Sequence, residues 1–171
     1  NLVISQFEIP METLTLLFKT AKDKNVTTML NPAPAKKAPP ELLQHIDYFV
    51  INQTELAFFA DIQETPEDEA EITSLAKRLQ ENGPKTVIVT MGEGGVIAIS
   101  AEEVVRVPGV KVNAIDTTAA GDCFVGAFAT QIEKEKSLKD ALIFANKAAA
   151  ISVTRLGATS SLPRLDEVEN S

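Results

Sequence analysis

Asp122 is the residue of this sequence that is best placed to take part in a chemical reaction. It follows Ala119, Ala120 and Gly121 and precedes Cys123–Ala129, an apolar stretch that predicts a buried helix. The first N–H groups of a helix have no partner within the helix and lie at the positive end of its dipole, so small residues there leave room for a phosphate. A carboxylate at the same terminus can take a proton from a substrate hydroxyl. The spacing alone is equally compatible with an Asp122 that only caps its helix.

Alternating strand-like and helix-like segments surround this terminus. Short β-branched runs predict strands, and the amphipathic stretches between them predict helices. The glycine turn Met91–Gly95 stands between two predicted strands, so it lacks the following helix that a dinucleotide fingerprint requires. A further strand is expected over Val112–Ile115, directly before Asp116. The alternation predicts an α/β fold with a mostly parallel sheet.

Polar residues and prolines mark the ends of several predicted elements. Asn52 is expected to end a strand and to cap the helix that follows. Ser137 and Asp140 resemble a capping pair for a helix that runs to about Arg155. The prolines of Asn31–Ala35 remove backbone donors and enforce an extended path, so this segment is expected to be a loop leaving a strand end.

The composition excludes several classes of function. Among 171 residues there are 24 acidic and 16 basic ones, giving a formal net charge of -8, so we expect no basic surface for nucleic acid or anionic lipid. One Cys and one His cannot build a disulfide framework or a Cys/His zinc site. No apolar run approaches the ~18 to 20 residues of a membrane span, and the start lacks the basic flank of a signal peptide. We therefore expect a cytoplasmic protein that binds neither nucleic acid nor membrane.

The sequence also resembles a known family, most clearly in Asp116-Thr-Thr-Ala-Ala-Gly-Asp122-Cys-Phe. This segment is similar to the second signature of the ribokinase-like sugar kinases, the phosphofructokinase-B type family, whose pattern is Asp-Thr-x-Gly/Ala-Ala-Gly-Asp-x-Phe. Further segments resemble family motifs in the family's order: Asn31-Pro-Ala-Pro-Ala35, Asn52-Gln-Thr-Glu55 and Thr90-Met-Gly-Glu-Gly-Gly95. The resemblance implies a three-layer ribokinase-like sandwich, with a mostly parallel central sheet flanked by helices and a hairpin on the C-terminal side.

The resemblance runs from Asn1 to about Pro163, yet it covers only a little over half of a family member. Leu2–Ile4 already predicts a buried strand at the start of the chain. We therefore expect residues 1–171 to be the C-terminal, nucleotide-binding part of one catalytic domain, without the N-terminal lid and the first sheet strands. The chain alone is expected to be inactive, and the full-length protein to be a homodimer.

By resemblance, the activity is transfer of the γ-phosphoryl group of ATP to a primary hydroxyl of a carbohydrate. The proline loop and the Thr-Thr-Ala-Ala-Gly-Asp version of the signature favour D-ribose, with D-ribose 5-phosphate as the product. Asp122 would be the catalytic base, and Ala119, Ala120 and Gly121 would form the anion hole for the γ-phosphoryl group. Glu8 matches a sugar-contacting position. The alternatives are a kinase of the same family for another sugar or nucleoside, and an inactive nucleotide-binding or interaction fragment.

The resemblance further implies ATP, Mg²⁺ and K⁺ as cofactors. Glu55 would orient the water shell of a Mg²⁺ that bridges the ATP phosphates. ATP would lie beside Asn52, Thr90, Gly92, Gly95 and Asn146. K⁺ would be bound by the Asp116 carboxylate, the Ser161 hydroxyl and the backbone carbonyls of Thr118, Ser152, Arg155 and Gly157.

Several of these residues have a simpler interpretation when the family is set aside. Glu8 and Glu55 fit exposed carboxylates, Gly157 fits an ordinary helix end, and Asn146 fits a surface amide that satisfies its own hydrogen bonds. Cys123 stands where the family more often has Thr. Its apolar surroundings predict buried packing rather than a redox or nucleophilic role.

Overall fold

The computed structural model describes residues 1–170 and contains alternating strands and helices. Along the chain the elements are β1 (Leu2–Ser5), α1 (Met11–Asp23), β2 (Thr27–Leu30), α2 (Pro40–Leu43), β3 (Tyr48–Asn52), α3 (Gln53–Ala60), α4 (Glu69–Glu81), β4 (Thr86–Thr90), β5 (Val96–Ser100), β6 (Val104–Val107), α5 (Ala120–Glu133), α6 (Leu138–Ser152) and α7 (Leu165–Glu169). The strands form a six-stranded sheet in the order β1-β2-β3-β4-β5-β6. Among the helices of residues 1–170, none has the length and hydrophobicity of a transmembrane segment.

The first four strands are parallel, as the alternation of elements predicts. β1 pairs with β2, β2 with β3 and β3 with β4, all in parallel register. Helices make the connections between them, because parallel neighbours need a crossover. Ser5, Leu30, Asn52 and Thr90 therefore end their strands on one side of the sheet, which we call the carboxyl edge. In open α/β sheets this is the edge where ligands bind.

The last three strands are joined by short turns, which confirms the expected hairpin. Five residues join β4 to β5 and three join β5 to β6, too few for a parallel crossover. Gly92–Gly94 forms a single 3₁₀ turn, and a strand rather than a helix follows it. At Gly95, φ is +91° and a Cβ would lie 2.2 Å from the Val107 carbonyl oxygen, so only glycine fits there.

The chain forms two compact units, of which the first is Asn1–Met91 with Ile97–Val104. Its core is one cluster of buried apolar side chains from the strands and from α1 and α4. Leu14 and Phe18 of α1 and Ile72 and Ala76 of α4 follow helical i, i+4 spacing, so each helix presents one apolar stripe. This buried cluster fixes the helices and strands that lead to the carboxyl edge.

The second unit comprises Gly92–Val96 and the chain from Val105 onward. In it α5 packs against α6 and α6 against α7. Cys123, Ala148 and Val168, one from each helix, form a small buried cluster. Ser137 caps α6 as expected, with the Asp140 amide donating to its hydroxyl at 3.1 Å, but α6 ends at Ser152 rather than near Arg155. The short helix α7 was not predicted from the sequence.

The strand expected over Val112–Ile115 is absent from the described chain. Val112 and Ile115 are 37% and 63% exposed, so their apolar side chains are not packed in a core as those of a buried strand would be. The amides of Ile115 and Asp116 donate instead to the Val153 carbonyl, at 2.7 and 3.2 Å. The backbone bonds of this segment thus go to the end of α6, and the prediction of a strand here was wrong.

Candidate active site

Two of the residues predicted to contact ATP meet at the carboxyl edge of the first unit. Asn52 at the end of β3 and Thr90 at the end of β4 are direct partners in the parallel register. The Thr90 hydroxyl donates to the Ile51 carbonyl at 3.3 Å, which ties the two strand ends together. The register therefore places an amide and a hydroxyl side by side at this edge.

Asn52 and Glu55 form a reciprocal capping box at the start of α3. The Glu55 amide donates to Asn52 Oδ1 at 2.8 Å, and the Asn52 amide donates to Glu55 Oε2 at 2.9 Å. This confirms Asn52 as the helix cap. Glu55 is half-buried rather than exposed, and burial raises its pKa although the hydrogen bond from the Asn52 amide acts in the opposite direction. A carboxylate of fixed orientation thus stands at the carboxyl edge.

Glu55 fits the role of a carboxylate beside a hydrated Mg²⁺. Mg²⁺ usually keeps several waters and takes one or two carboxylates together with substrate phosphates. Within residues 1–170 no three His, Cys, Asp or Glu side chains group closely enough to hold a metal ion.

Glu8 lies on the segment between β1 and α1 and is exposed. The residue before it, Phe7, is fully buried in the core. The Phe7 amide donates to the Ala33 carbonyl at 3.0 Å, and Lys36 Nζ donates to the Phe7 carbonyl at 2.9 Å. The sequence indicated the loop at Asn31–Ala35 but gave no signal for Lys36, because its partner lies 29 residues away.

The predicted anion hole lies at the first turn of α5. Ala119 is the N-cap in the left-handed conformation, with φ 59° and no side-chain cap hydrogen bond. The Ala120 amide donates to the Thr117 carbonyl at 3.2 Å. Gly121 is exposed, and a Cβ placed on it would meet nothing within 4 Å. This helix terminus is therefore open, with room for an anion at its first turn.

Asp122 stands in the first turn of α5 and is exposed, so it does not occupy the N-cap position. The helix dipole stabilises negative charge in a first turn. The chain thus holds a carboxylate and an open helix terminus in adjacent residues, which is the arrangement needed to bind an anion beside a general base.

Asp116 joins two loops of the second unit. Its Oδ1 accepts the Thr118 amide and its Oδ2 accepts the Gly157 amide, both at 2.9 Å. A hydrogen bond from the Thr118 side chain, with these two amides, lowers the pKa of Asp116 to about 2. The carboxylate is therefore ionised at neutral pH. Three of the six residues predicted to hold K⁺ are brought together by these bonds.

The other three predicted K⁺ ligands are engaged within the protein. Ser152 and Ser161 are fully buried, and their hydroxyls donate to the carbonyls of Ala149 and Ala158 at 2.8 and 2.7 Å. The amide of Arg155 donates to the Ser152 carbonyl at 3.1 Å, and its guanidinium pairs with Glu167. Each Asp116 carboxylate oxygen accepts a backbone amide, and K⁺ binding by this set of residues stays a prediction.

The remaining predicted nucleotide contacts differ in their surroundings. Asn146 is buried and donates from Nδ2 to the Pro108 carbonyl at 2.9 Å, so it is not a surface amide. Gly92 is exposed with φ +52° and open space around its Cα, whereas Gly95 is buried against the backbone of residues 107–109. Of the two glycines, Gly92 has the space for a ligand, and a contact between Gly95 and ATP stays a prediction.

Cys123 lies inside α5 and is buried, as expected for a packing residue. Burial raises the pKa of its thiol, although a hydrogen bond with Ser152 acts in the opposite direction. A thiol kept protonated in this way is a poor nucleophile.

The family of the chain is evident from comparison with known proteins. Residues 2–165 match the model of the pfkB family carbohydrate kinases. Ribokinase of Staphylococcus aureus is 41% identical over 169 residues, which are 98% of this chain and 55% of that protein. Ribokinase of Schizosaccharomyces pombe is 40% identical over 173 residues, covering 100% of this chain and 54% of that protein. The chain thus spans about half the length of these relatives.

A solved structure agrees with the fold described above. Arabidopsis thaliana ribokinase, in a structure with ribose and ATP, is 30% identical with a TM-score of 0.92, over 99% of this chain and 55% of that one. The α/β fold class and the family expected from the sequence motifs are both confirmed. This chain belongs to the pfkB family of carbohydrate kinases.

Proposed function

We propose that this chain is the C-terminal, nucleotide-binding part of an ATP-dependent kinase that phosphorylates D-ribose at its primary hydroxyl. The observation that carries the proposal is the first turn of α5, where the exposed Asp122 adjoins an open helix terminus with space at Gly121. The proposal is also supported by the ribokinases that match 98% and 100% of the chain.

In the proposed reaction Asp122 accepts the proton of the sugar hydroxyl as its oxygen attacks the γ-phosphorus of ATP. The new oxygen–phosphorus bond forms while the bond to the bridging oxygen of ADP breaks, and ADP leaves with that electron pair. The Ala119–Gly121 turn faces the negative charge that develops on the phosphoryl oxygens. A positioned base contributes about 10² to 10⁴ to such a rate.

The remaining residues position the nucleotide and its ions in this proposal. Asn52, Thr90 and Gly92 lie along the phosphates and ribose of ATP, and Asn146 lies toward the adenine. Mg²⁺, when bound, neutralises charge on the phosphates, and Glu55 orients its water shell. Asp116, with the neighbouring oxygens, holds K⁺ beside the anion hole. Glu8 contacts the sugar. A homodimer in the cytoplasm is the state we propose for the full-length protein.

The test is ATP-dependent phosphorylation by the protein with its full natural sequence, beside the 171-residue chain alone. ADP release is measured with Mg²⁺ and K⁺ for D-ribose, 2-deoxy-D-ribose, D-fructose and adenosine. We expect the highest kcat/KM with D-ribose, in the full-length protein only. Higher kcat/KM for another acceptor would reassign the substrate. No activity with any acceptor, together with nucleotide binding by calorimetry, would favour an inactive nucleotide-binding protein.

A further inference from the structure

The segment that carries Glu8 is held by the loop that follows β2, residues 31–36. Gln6 Nε2 donates to Asn31 Oδ1 at 2.9 Å, and the Phe7 amide donates to the Ala33 carbonyl at 3.0 Å. Lys36 Nζ donates to the Phe7 carbonyl at 2.9 Å. Three hydrogen bonds, one at the Gln6 side chain and two at the backbone of Phe7, thus fix residues 6 and 7 to the 31–36 loop.

The 31–36 loop is itself anchored to the sheet through Asn31. The Asn31 amide donates to the Ser5 carbonyl at 3.1 Å, and its Nδ2 donates to the Val50 carbonyl at 3.0 Å. One side chain therefore bridges the segment after β1 and the strand β3. The loop therefore has a fixed position at the carboxyl edge, and the residues bonded to it, Gln6 and Phe7, are fixed there as well.

Lys36 acts on the peptide unit that leads into Glu8. The carbonyl of Phe7 and the amide of Glu8 belong to one planar peptide group, so a bond that fixes the first also fixes the direction in which Glu8 leaves the chain. Phe7 anchors one side of this group, because its ring is fully buried. Glu8 itself is exposed, and the fixed peptide group sets the direction in which its side chain leaves the backbone.

We propose that Lys36 is a positioning residue for Glu8 and that it sets the affinity of the site for the sugar without touching the sugar. This inference rests on the proposed function, in which Glu8 contacts the acceptor. Lys37, the residue directly after this loop, provides the comparison. It is an exposed lysine next in sequence, and the described structure gives it no hydrogen bond or ion pair.

The test compares Lys36→Met with Lys37→Met in the full-length protein. Both changes remove one positive charge, and only the first removes the bond to the Phe7 carbonyl. We expect Lys36→Met to raise the KM for D-ribose about tenfold, the scale of one lost charge-assisted hydrogen bond. The KM for ATP, kcat and the melting temperature should stay close to those of Lys37→Met. Lys36→Arg should restore most of the sugar affinity, since a guanidinium can donate to the same carbonyl.

A double-mutant cycle with Glu8→Gln then decides whether Lys36 acts through Glu8. In the Glu8→Gln background Lys36→Met should change the KM for D-ribose less than twofold, because the two changes remove one interaction. Additive effects, an equal rise of the KM for ATP, or no change in Lys36→Met would overturn the inference. The unsubstituted protein tests the proposed function separately. If it phosphorylates no sugar, the proposed function and the role of Lys36 are both wrong. If it does phosphorylate a sugar, the variants alone decide the role of Lys36.

Discussion

At the scale of single residues, a matched pair of variants distinguishes a catalytic Asp122 from a carboxylate that only stabilises the first turn of its helix. Asp122 is the third residue of α5 and Asp140 is the third residue of α6, so each lies near the positive end of its own helix dipole. Asp140 hydrogen-bonds the Ser137 cap at 2.7 Å, whereas α5 begins at Ala119 without a side-chain cap. We expect Asp122→Asn to lower kcat by about 10² to 10⁴ while ATP still binds, because the amide cannot accept the proton.

Asp140→Asn is the matched control for this prediction. It makes the same chemical change at the same helix position, and kcat should stay near that of the unsubstituted protein. Initial rates with D-ribose and calorimetry with ATP measure the two effects. A similar kcat for Asp122→Asn and Asp140→Asn would remove Asp122 from the role of base.

Glu55→Gln can distinguish the helix-capping role of Glu55 from its proposed role beside Mg²⁺. A glutamine oxygen can accept the Asn52 amide as Glu55 Oε2 does, so the capping box survives in Glu55→Gln. Burial raises the pKa of Glu55 above its ordinary 4.5, so its ionisation costs stability as pH rises past that value, and glutamine removes this cost. We expect the free energy of unfolding to change by no more than about 0.5 kcal/mol. The Mg²⁺ concentration for half-maximal activity should rise several-fold.

Magnesium titration at fixed ATP, with urea unfolding beside it, measures both quantities. Glu71→Gln is the control, since Glu71 is the third residue of α4 and its amide donates to the Asp68 cap at 3.0 Å. It should leave the magnesium requirement unchanged. An unchanged requirement in Glu55→Gln as well would show that Glu55 serves only as a cap.

Local patterns predicted some of these residues and not others. The cap at Asn52 and the first-turn position of Asp122 follow from residues within a few positions of each other, so the sequence was sufficient. The contacts of Asn31 with Val50 and of Lys36 with Phe7 span 19 and 29 residues. They depend on how parallel strands bring distant segments to one edge, which residue types alone do not show.

At the scale of elements, Asp47 joins the ends of the strands opposite the carboxyl edge. Its Oδ1 lies 2.6 Å from Lys22 Nζ and 2.9 Å from Lys85 Nζ, and its Oδ2 accepts the Thr28 amide at 2.9 Å. Burial alone would raise the pKa of Asp47, but the hydrogen bonds from both lysines and from Thr28 outweigh it and lower the pKa. One carboxylate thus links α1, β2 and the residues directly before β3 and β4.

We expect Asp47→Asn to lower the free energy of unfolding by about 2 to 3 kcal/mol at pH 7, through lost charge-assisted hydrogen bonds. A lowered folded-state pKa stabilises the fold above the unfolded value of 3.8, and this contribution is lost as pH falls below 3.8 through the folded value. The difference between the two proteins should therefore be constant from pH 7 to about 5 and shrink below pH 4.

Urea unfolding at several pH values measures this difference. Asp23→Asn is the control, because Asp23 is an exposed acid next to Lys22 and has no partner within the described chain. It should show little loss of stability at any pH. A difference for Asp47→Asn that stays constant down to pH 3 would contradict the assigned ionic role.

Element prediction succeeded where a segment's own pattern decides its structure. The apolar stripes of α1 and α4 and the β-branched strands are of this kind. Val112–Ile115 has the composition of a strand, yet its backbone bonds to the Val153 carbonyl at the end of α6. A strand exists only with a partner, and no local pattern reports whether one is present. The short helix α7 was missed for a related reason, because Val168 is buried only by packing on other helices.

At the scale of the whole chain, the sheet ends in a strand with one free side. Within residues 1–170, β1 lies at the end of the strand order and has a neighbour on one side only. Ile4 in this strand is 42% exposed. An edge strand with exposed apolar side chains is a template for pairing with another chain, although the net charge of -8 opposes close approach. We expect the 171-residue chain to self-associate through β1.

Ile4→Lys tests whether the chain associates through β1 or through exposed apolar side chains elsewhere. A lysine on an edge strand disfavours edge-to-edge pairing. Leu16→Lys is the control, because Leu16 on α1 is 66% exposed and the substitution makes the same change in charge. Sedimentation velocity over a range of concentrations should show association for the unsubstituted chain and for Leu16→Lys, and monomer for Ile4→Lys. Equal association of both variants would place the contact elsewhere, and a monomeric unsubstituted chain would mean that repulsion outweighs the open edge.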